Sequence, residues 1–189
     1  MSFVEKPKRS IWTWGYQQDE PTNSERQKHA AELSKKIGIE IIPPKIPLAD
    51  ELNLRTSRIK IPDNLASYCF TDNYERALHS YGAERELAAL GKFPNPPDVV
   101  SHPSNEDELA EILDWCDRYN YVTIPYGGGS SVVGGVTPPE DKGPIVTIDM
   151  DQFDQVLEID EISRTAKIQA GIYGPELERQ LKPSGYTLR

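Results

Sequence analysis

The sequence predicts an α/β fold with α+β character over residues 95–189, preceded by a mainly helical extension over residues 1–94. Three observations carry that prediction. From Pro97 onward, short β-branched runs alternate with a strongly amphipathic helical stripe. The apolar run Val122-Thr-Ile-Pro-Tyr126 ends abruptly at Gly127-Gly-Gly-Ser-Ser131, the pattern of a strand that delivers a tight backbone loop. Residues 1–94, by contrast, show capped helical segments separated by proline-rich stretches.

In chain order, Ile11-Trp-Thr-Trp-Gly-Tyr16 is an aromatic cluster in polar surroundings, expected to be an arm anchored by its tryptophans on another part of the molecule. Thr22-x-x-Glu25 is a capping box that opens a helix carrying Ala30, Leu33 and Ile37, with Gly38 as its stop. Ile39 to Ile42 predicts a short strand, and Pro43, Pro44 and Pro47 a linker. Asp72-x-x-Glu75 opens a second helix with Ala77, Leu78 and Tyr81 on one face, ending at Gly82. His79 lies beside that face; with no second histidine or carboxylate at ligand spacing, it is expected to be a surface or hydrogen-bonded residue.

Asp98 to Ser101 predicts a strand, and Ser104-x-x-Asp107 caps a helix with Leu109, Ile112, Leu113 and Cys116 as its buried stripe, ended by Asn120. Tyr121 to Pro125 is the next strand, so residues 97–129 form a βαβ-like unit with the glycine loop at the carboxyl end of its second strand, where open α/β sheets hold ligands. Ile145 to Asp149, Gln155 to Ile159 and Ala166 to Ala170 predict three further strands. Pro175 then starts a helix with Leu177 and Leu181 on one side, stopped by Ser184-Gly185. Asp149, Asp151 and Asp154 lack the glycine and glutamate of a calcium loop and predict a solvated acidic turn, so no metal site is expected.

Charge excludes some partners. The net charge is -9, and residues 51–189 carry thirteen basic against twenty-three acidic side chains, a balance that repels nucleic acid and anionic lipid surfaces. No stretch approaches a membrane span, and the basic start has no apolar segment behind it; a cytoplasmic location is expected. The two cysteines, Cys69 and Cys116, are expected to be reduced core thiols.

The glycine loop is the candidate binding element. Glycine lets successive N–H groups turn toward one point, and hydroxyls at Ser130 and Ser131 add donors. A diphosphate would suit such a loop, while a simple tight turn is the alternative. No Gly-Lys-Ser/Thr is present, and Val132 stands where a dinucleotide fingerprint needs its third glycine. No Lys or Arg lies between Tyr119 and Glu140, so any diphosphate is expected to be held by dipoles alone.

The motifs Pro97-Asp-Val-Val-Ser-His-Pro-Ser-Asn-Glu-Asp-Glu-Leu109, Ile124-Pro-Tyr-Gly-Gly-Gly-Ser-Ser-Val132, Ile148-Asp149 and Gln169-Ala-Gly-Ile-Tyr-Gly-Pro-Glu-Leu-Glu178, in this order, resemble the FAD-binding half of the vanillyl-alcohol-oxidase/PCMH flavoproteins. Trp14-Gly-Tyr16, Arg76-x-x-x-x-Tyr81-Gly82 and Glu176-Leu-Glu-Arg-Gln-Leu-Lys-x-Ser-Gly-Tyr186 are similar to its alkyldihydroxyacetonephosphate synthase branch. The resemblance implies a PCMH-type FAD-binding domain, first subdomain, starting at residue 95, and FAD as cofactor held at Pro125, Tyr126, Gly127, Gly128, Gly129, Ser130 and Ser131. The loop holds no histidine that could tether a flavin, which implies non-covalent FAD. It also implies a small-molecule substrate, with a homodimer as an admissible assembly, and catalytic residues lying beyond Arg189, so that the chain is expected to be the N-terminal part of a larger flavoenzyme. A D-2-hydroxyacid dehydrogenase or oxidase shares the loop and is the alternative within the superfamily; a non-catalytic nucleotide-binding module is the alternative outside it.

Overall fold

A computed structural model describes residues 7–188. Its centre is a four-stranded sheet built from β1 (Cys69–Phe70), β2 (Val99–Ser101), β3 (Val122–Tyr126) and β4 (Ile145–Asp149), in the order β1-β2-β4-β3. The strands β2, β4 and β3 run parallel and β1 closes one edge antiparallel. The unit over residues 97–129 is therefore a crossover that skips a strand, with β4 inserted between its two strands. Insertion puts β4 at the centre, and all five of its residues are buried, as a central parallel strand covered on both faces requires.

Strand alternation sorts the two faces. Val99, Val146 and Ile148 pack with Ile112, Trp115 and Cys116 of the helix α4 (Glu106–Tyr119) and with Ile59, Leu65 and Cys69. The register pairs Tyr126 with Asp149, and both point to the opposite face, where α2 (Asn73–Leu78) lies with His79 at its end. A second apolar cluster, Ile11, Trp12, Ala77, Leu78, Tyr81, Ala88 and Phe93, binds the N-terminal segment to α2 and to the short α3 (Glu86–Ala89). A separate antiparallel pair, β5 (Val156–Asp160) and β6 (Thr165–Ile168), precedes α5 (Gly174–Leu181).

Local signals decide the helix ends. The capping box at Thr22 and Glu25 is present and opens α1 (Asn23–Ile37), which ends at Gly38 in the left-handed region. Asp72 caps α2 by accepting from Glu75 N–H. In α4 the cap is Asn105, not Ser104: its side chain accepts from Glu108 N–H at 2.9 Å, and the Glu108 carboxylate reaches back to Ser104. The buried face of α4 carries Ile112, Trp115 and Cys116, while Leu113, expected in the stripe, is 44% exposed.

Three other expectations are corrected. Residues 39–42 form no strand, and Ile39 and Ile42 lie exposed; the prolines that follow leave this stretch without a sheet edge to join. Of the two arm tryptophans only Trp12 is buried, under the Arg26 guanidinium, while Trp14 is exposed. The acidic turn is not solvated at its start, because Asp149 is fully enclosed beneath α2. Both cysteines are free and buried as expected, and burial pushes each thiol up to about 12.

Asp98 fastens the region before β2. Its carboxylate accepts from Arg55 and Arg58 side chains at 2.5 and 2.7 Å and from the Ile145 backbone at 2.9 Å. Burial alone would raise its pKa, but these hydrogen bonds, led by that of Arg58, hold it well below the usual range.

Candidate functional site

The carboxyl ends of the three parallel strands lie side by side, so Gly127 after β3, His102 after β2 and Met150-Asp151 after β4 gather at one end of the sheet. The glycine loop is built there from β3. The Tyr126 side chain turns inward, is wholly buried, and its hydroxyl meets the carbonyls of Tyr81 at 3.2 Å and Leu78 at 3.4 Å. It props the loop from below, so that only its backbone faces the loop's outer side.

Backbone space explains why glycine is needed. Gly129 has φ of +65°, and a Cβ there would run into the Tyr126 hydroxyl. On the other flank, Ala83 N–H donates to Ser131 O at 2.7 Å, an approach so close that a Cβ on Gly82 would lie 2.5 Å from that same oxygen. Glu84 then accepts from Gly134 N–H at 2.7 Å, and the Ser131 hydroxyl accepts from Gly135 N–H at 2.9 Å. The loop is thus clamped by Gly82, Ala83 and Glu84.

What the clamp leaves open is decisive. Among the described residues, no backbone N–H from Gly127 through Val133 donates a hydrogen bond. Gly127 to Gly129 and Ser130 therefore offer unspent donors at the carboxyl end of a parallel strand, with Gly128 and Ser130 exposed. Buried or half-buried N–H groups normally find partners, and a run of unpaired ones is suited to an anion. Pro125 is exposed on β3 just below, and the Ser131 hydroxyl still has its proton to donate.

Sequence reading missed the cations. A cavity of about 190 Å³ lies between the loop and the N-terminal segment, lined by Gly128, Gly129, Arg9, Arg85, Trp14 and Tyr173 among others. The two arginines stand far from the loop in sequence, and no local pattern marks them. The turn that carries Arg9 is held by Ser10 N–H to Gly15 O and Gln17 N–H to Lys8 O, and the Tyr74 hydroxyl donates to Arg9 O.

Beside this cavity runs a compensated charge network. Arg9 pairs with Asp149 at 2.6 Å, and Asp149 meets His79 Nε2 at 2.8 Å. His79 Nδ1 faces Glu75 O at 2.7 Å, while the Glu75 carboxylate meets His102 Nε2 at 3.0 Å and Asp151 meets His102 Nδ1 at 3.2 Å. Burial opposes charge throughout, yet the partners prevail. Asp151 and Glu75 push His102 up to about 10, and Asp149 is held below its usual range chiefly by His79.

His79 is the hydrogen-bonded residue of the two expected alternatives, but the premise that no carboxylate or second histidine stands at ligand spacing is corrected: α2 and the strand ends bring Glu75, His79 and His102 together, and also His102, Asp149 and Asp151, with ligand atoms within 4.8 Å. Both nitrogens of each ring already face an oxygen acceptor. That arrangement points N–H groups inward rather than lone pairs, so it is an ion-pair network that couples the N-terminal segment to the sheet.

Residues 97–189 match the family model described as the FAD binding domain. The chain is 33% identical over 164 residues to the alkyldihydroxyacetonephosphate synthase of Trypanosoma brucei brucei, covering 82% of this chain and 25% of that protein. It is 37% identical over 131 residues to the synthase of Dictyostelium discoideum, covering 68% of this chain and 21% of that protein. It is also 32% identical over 113 residues to a glycolate oxidase subunit of Bacillus subtilis, covering 60% of this chain and 22% of that protein. A solved structure of an alkyldihydroxyacetonephosphate synthase superposes on 95% of the chain with a TM-score of 0.73 at 24% identity, and 38% of that chain is covered. The chain thus spans about a quarter of the length of these curated relatives.

Proposed function

Because residues 97–189 belong to the FAD binding domain family, we propose that the loop Gly127–Ser131 holds the diphosphate of a non-covalently bound FAD. We further propose that the protein carrying this chain is a flavoenzyme of the alkyldihydroxyacetonephosphate synthase kind. One observation carries the site: an uninterrupted run of unspent N–H donors on a glycine loop at the carboxyl end of a parallel strand. The fit is steric as well as polar. Gly128 would direct a Cβ toward the loop's open side, where it meets only the Tyr173 ring at 3.1 Å, so its absence leaves room for phosphate oxygens.

Each part of the chain has a task in this reading. Gly127, Gly128 and Gly129 bring backbone N–H groups to the diphosphate, and Ser130 and Ser131 add hydroxyl donors. Pro125 lies exposed one residue before the end of β3, while Tyr126, the last strand residue, acts from beneath by fixing the loop's height through its hydroxyl contacts with the Leu78 and Tyr81 carbonyls. FAD, when bound, supplies the redox-active isoalloxazine. The segment over residues 7–94 belongs to the same folded body, since β1 completes the sheet edge and Gly82 to Glu84 clamp the loop.

The synthase reading is favoured over the hydroxyacid oxidase reading by reach. The match to the Trypanosoma synthase extends over 164 residues, against 113 for the glycolate oxidase subunit, and so takes in more of the segment that precedes residue 97. The experiment is direct. The protein carrying this chain is purified, its flavin released and identified by chromatography, and the enzyme assayed for formation of an alkyl dihydroxyacetone phosphate. FAD together with that product is expected; FAD with robust dye reduction by D-lactate or glycolate instead would move the assignment to the oxidases.

A further inference from the structure

We infer that Arg85 is the positive charge of the anion site at the glycine loop, placed there to pair with the cofactor's diphosphate. The inference rests on the FAD reading of the loop for the identity of the anion, but on its own geometry for the charge. Arg85 follows directly on the clamp: Ala83 bonds Ser131, Glu84 bonds Gly134, and the next side chain enters the cavity that Gly128 and Gly129 line. Any movement that seats the loop therefore also seats the guanidinium.

Its own partners are inadequate. Among the described residues Arg85 has no carboxylate at ion-pair distance: its hydrogen bonds go to the carbonyls of Ser10 at 3.3 Å and Ile11 at 3.4 Å, both long, and to the Tyr126 hydroxyl. Other arginines are better served. Arg9 is paired with Asp149 and Arg55 with Asp98, and the fully buried Arg76 holds the carbonyls of Pro97 and Arg55 at 2.7 and 2.8 Å. The two acidic neighbours of Arg85 in sequence are engaged elsewhere or face outward: Glu84 accepts from Gly134 N–H, and Glu86 lies exposed in the first turn of α3.

Burial, with repulsion from Arg9 behind it, pushes the Arg85 guanidinium below its usual range. A half-buried cation in that position is stabilised by an anion, and the N–H groups of the loop supply the remaining contacts such an anion needs. The sequence-based expectation of a site made of dipoles alone is thereby completed by a charge brought from another part of the chain.

The test uses the protein carrying this chain, titrated with FAD, riboflavin and inorganic pyrophosphate at several salt concentrations. Arg85→Met keeps the aliphatic stem and removes the charge. It is expected to weaken FAD and pyrophosphate binding by about tenfold to a hundredfold, flatten the salt dependence, and leave riboflavin affinity unchanged. Wild-type FAD and pyrophosphate affinities with an unchanged salt slope in a cooperatively melting Arg85→Met protein would overturn the inference. A wild type that binds pyrophosphate in an Arg85-dependent way but not FAD would sink the flavin reading and keep the anion site; binding of neither would sink both. Should Arg85→Met not fold, phenylglyoxal labelling of the wild type decides: pyrophosphate is expected to protect Arg85, and equal labelling with and without it would overturn the proposal.

Discussion

Replacing Gly129 by alanine should damage the fold far more than the same change at Gly128, although the two glycines are adjacent. At Gly129 the backbone has φ of +65°, which costs a residue with a Cβ roughly 1 kcal/mol or more. The new methyl would also overlap the Tyr126 hydroxyl and come within 2.7 Å of its Cζ. Tyr126 is fully buried between β3 and α2, so it cannot swing aside. The hydrogen bond its single hydroxyl proton shares between two carbonyls, worth about 1 kcal/mol, would be stretched or lost, and overpacking adds roughly another 1 kcal/mol or more. The sum is about 3 to 5 kcal/mol, a large share of the roughly 5 to 15 kcal/mol that holds a domain together. At Gly128 the added methyl meets only the ring of Tyr173, which is 37% exposed and held at its hydroxyl by a single 3.3 Å hydrogen bond from Arg9; a shift of a few tenths of an ångström relieves the contact, so a cost under about 1 kcal/mol is expected. Urea denaturation of both variants measures the difference. A Gly129→Ala protein within about 1 kcal/mol of wild type would show that Tyr126 does not support the loop as described.

Other expectations follow from the same contacts. Gly171→Ala places a methyl on the Met150 carbonyl and 3.1 Å from Asp151 N, both backbone, and is expected to abolish cooperative melting; a normal melt would refute the close approach of the two turns. The raised pKa of His102 makes its contribution to stability complete below its ordinary value near 6.5 and lost as pH rises through about 10, whereas the lowered pKa values of Glu75 and Asp149 add stability that is lost in acid. Denaturant midpoints from pH 6 to 10.5 should therefore fall more steeply in wild type than in His102→Gln; parallel curves would remove His102 from the account. With no histidine in the loop, acid precipitation of the flavin-loaded protein should leave the yellow colour in the supernatant, and colour in the pellet would reveal a covalent tether.

How far the sequence could be read depended on the distance over which each contact acts. The caps of α1 and α2 were legible because Thr22 and Glu25, or Asp72 and Glu75, meet within one turn. The caps of α4 compete within two adjacent residues, Ser104 and Asn105, and geometry alone chose the second. The position of the glycine loop was legible because a strand-forming run stops at three consecutive glycines, and β3 ends at Tyr126 just before them. The loop's supports were not: Gly82, Ala83 and Glu84 lie about fifty residues upstream of the positions they meet, and Arg9 reaches Asp149 across 140 positions. Asp149 looked like part of an acidic surface turn until strand alternation put it on the α2 face, where Arg9 pairs with it and His79 hydrogen-bonds it. The position of β4 between β2 and β3 likewise follows from sheet pairing that no local pattern encodes.

The central claim, that the glycine loop holds a diphosphate, is tested most directly by comparing FAD with riboflavin, which lacks that group, on the wild type and on Gly128→Val. Each charge-assisted N–H bond contributes about 1.5 to 3 kcal/mol. Losing two of them to the valine side chain should weaken FAD binding by at least about a hundredfold in a protein that still melts cooperatively, while riboflavin affinity stays within about a factor of three. FAD bound equally well by wild type and Gly128→Val would contradict the account.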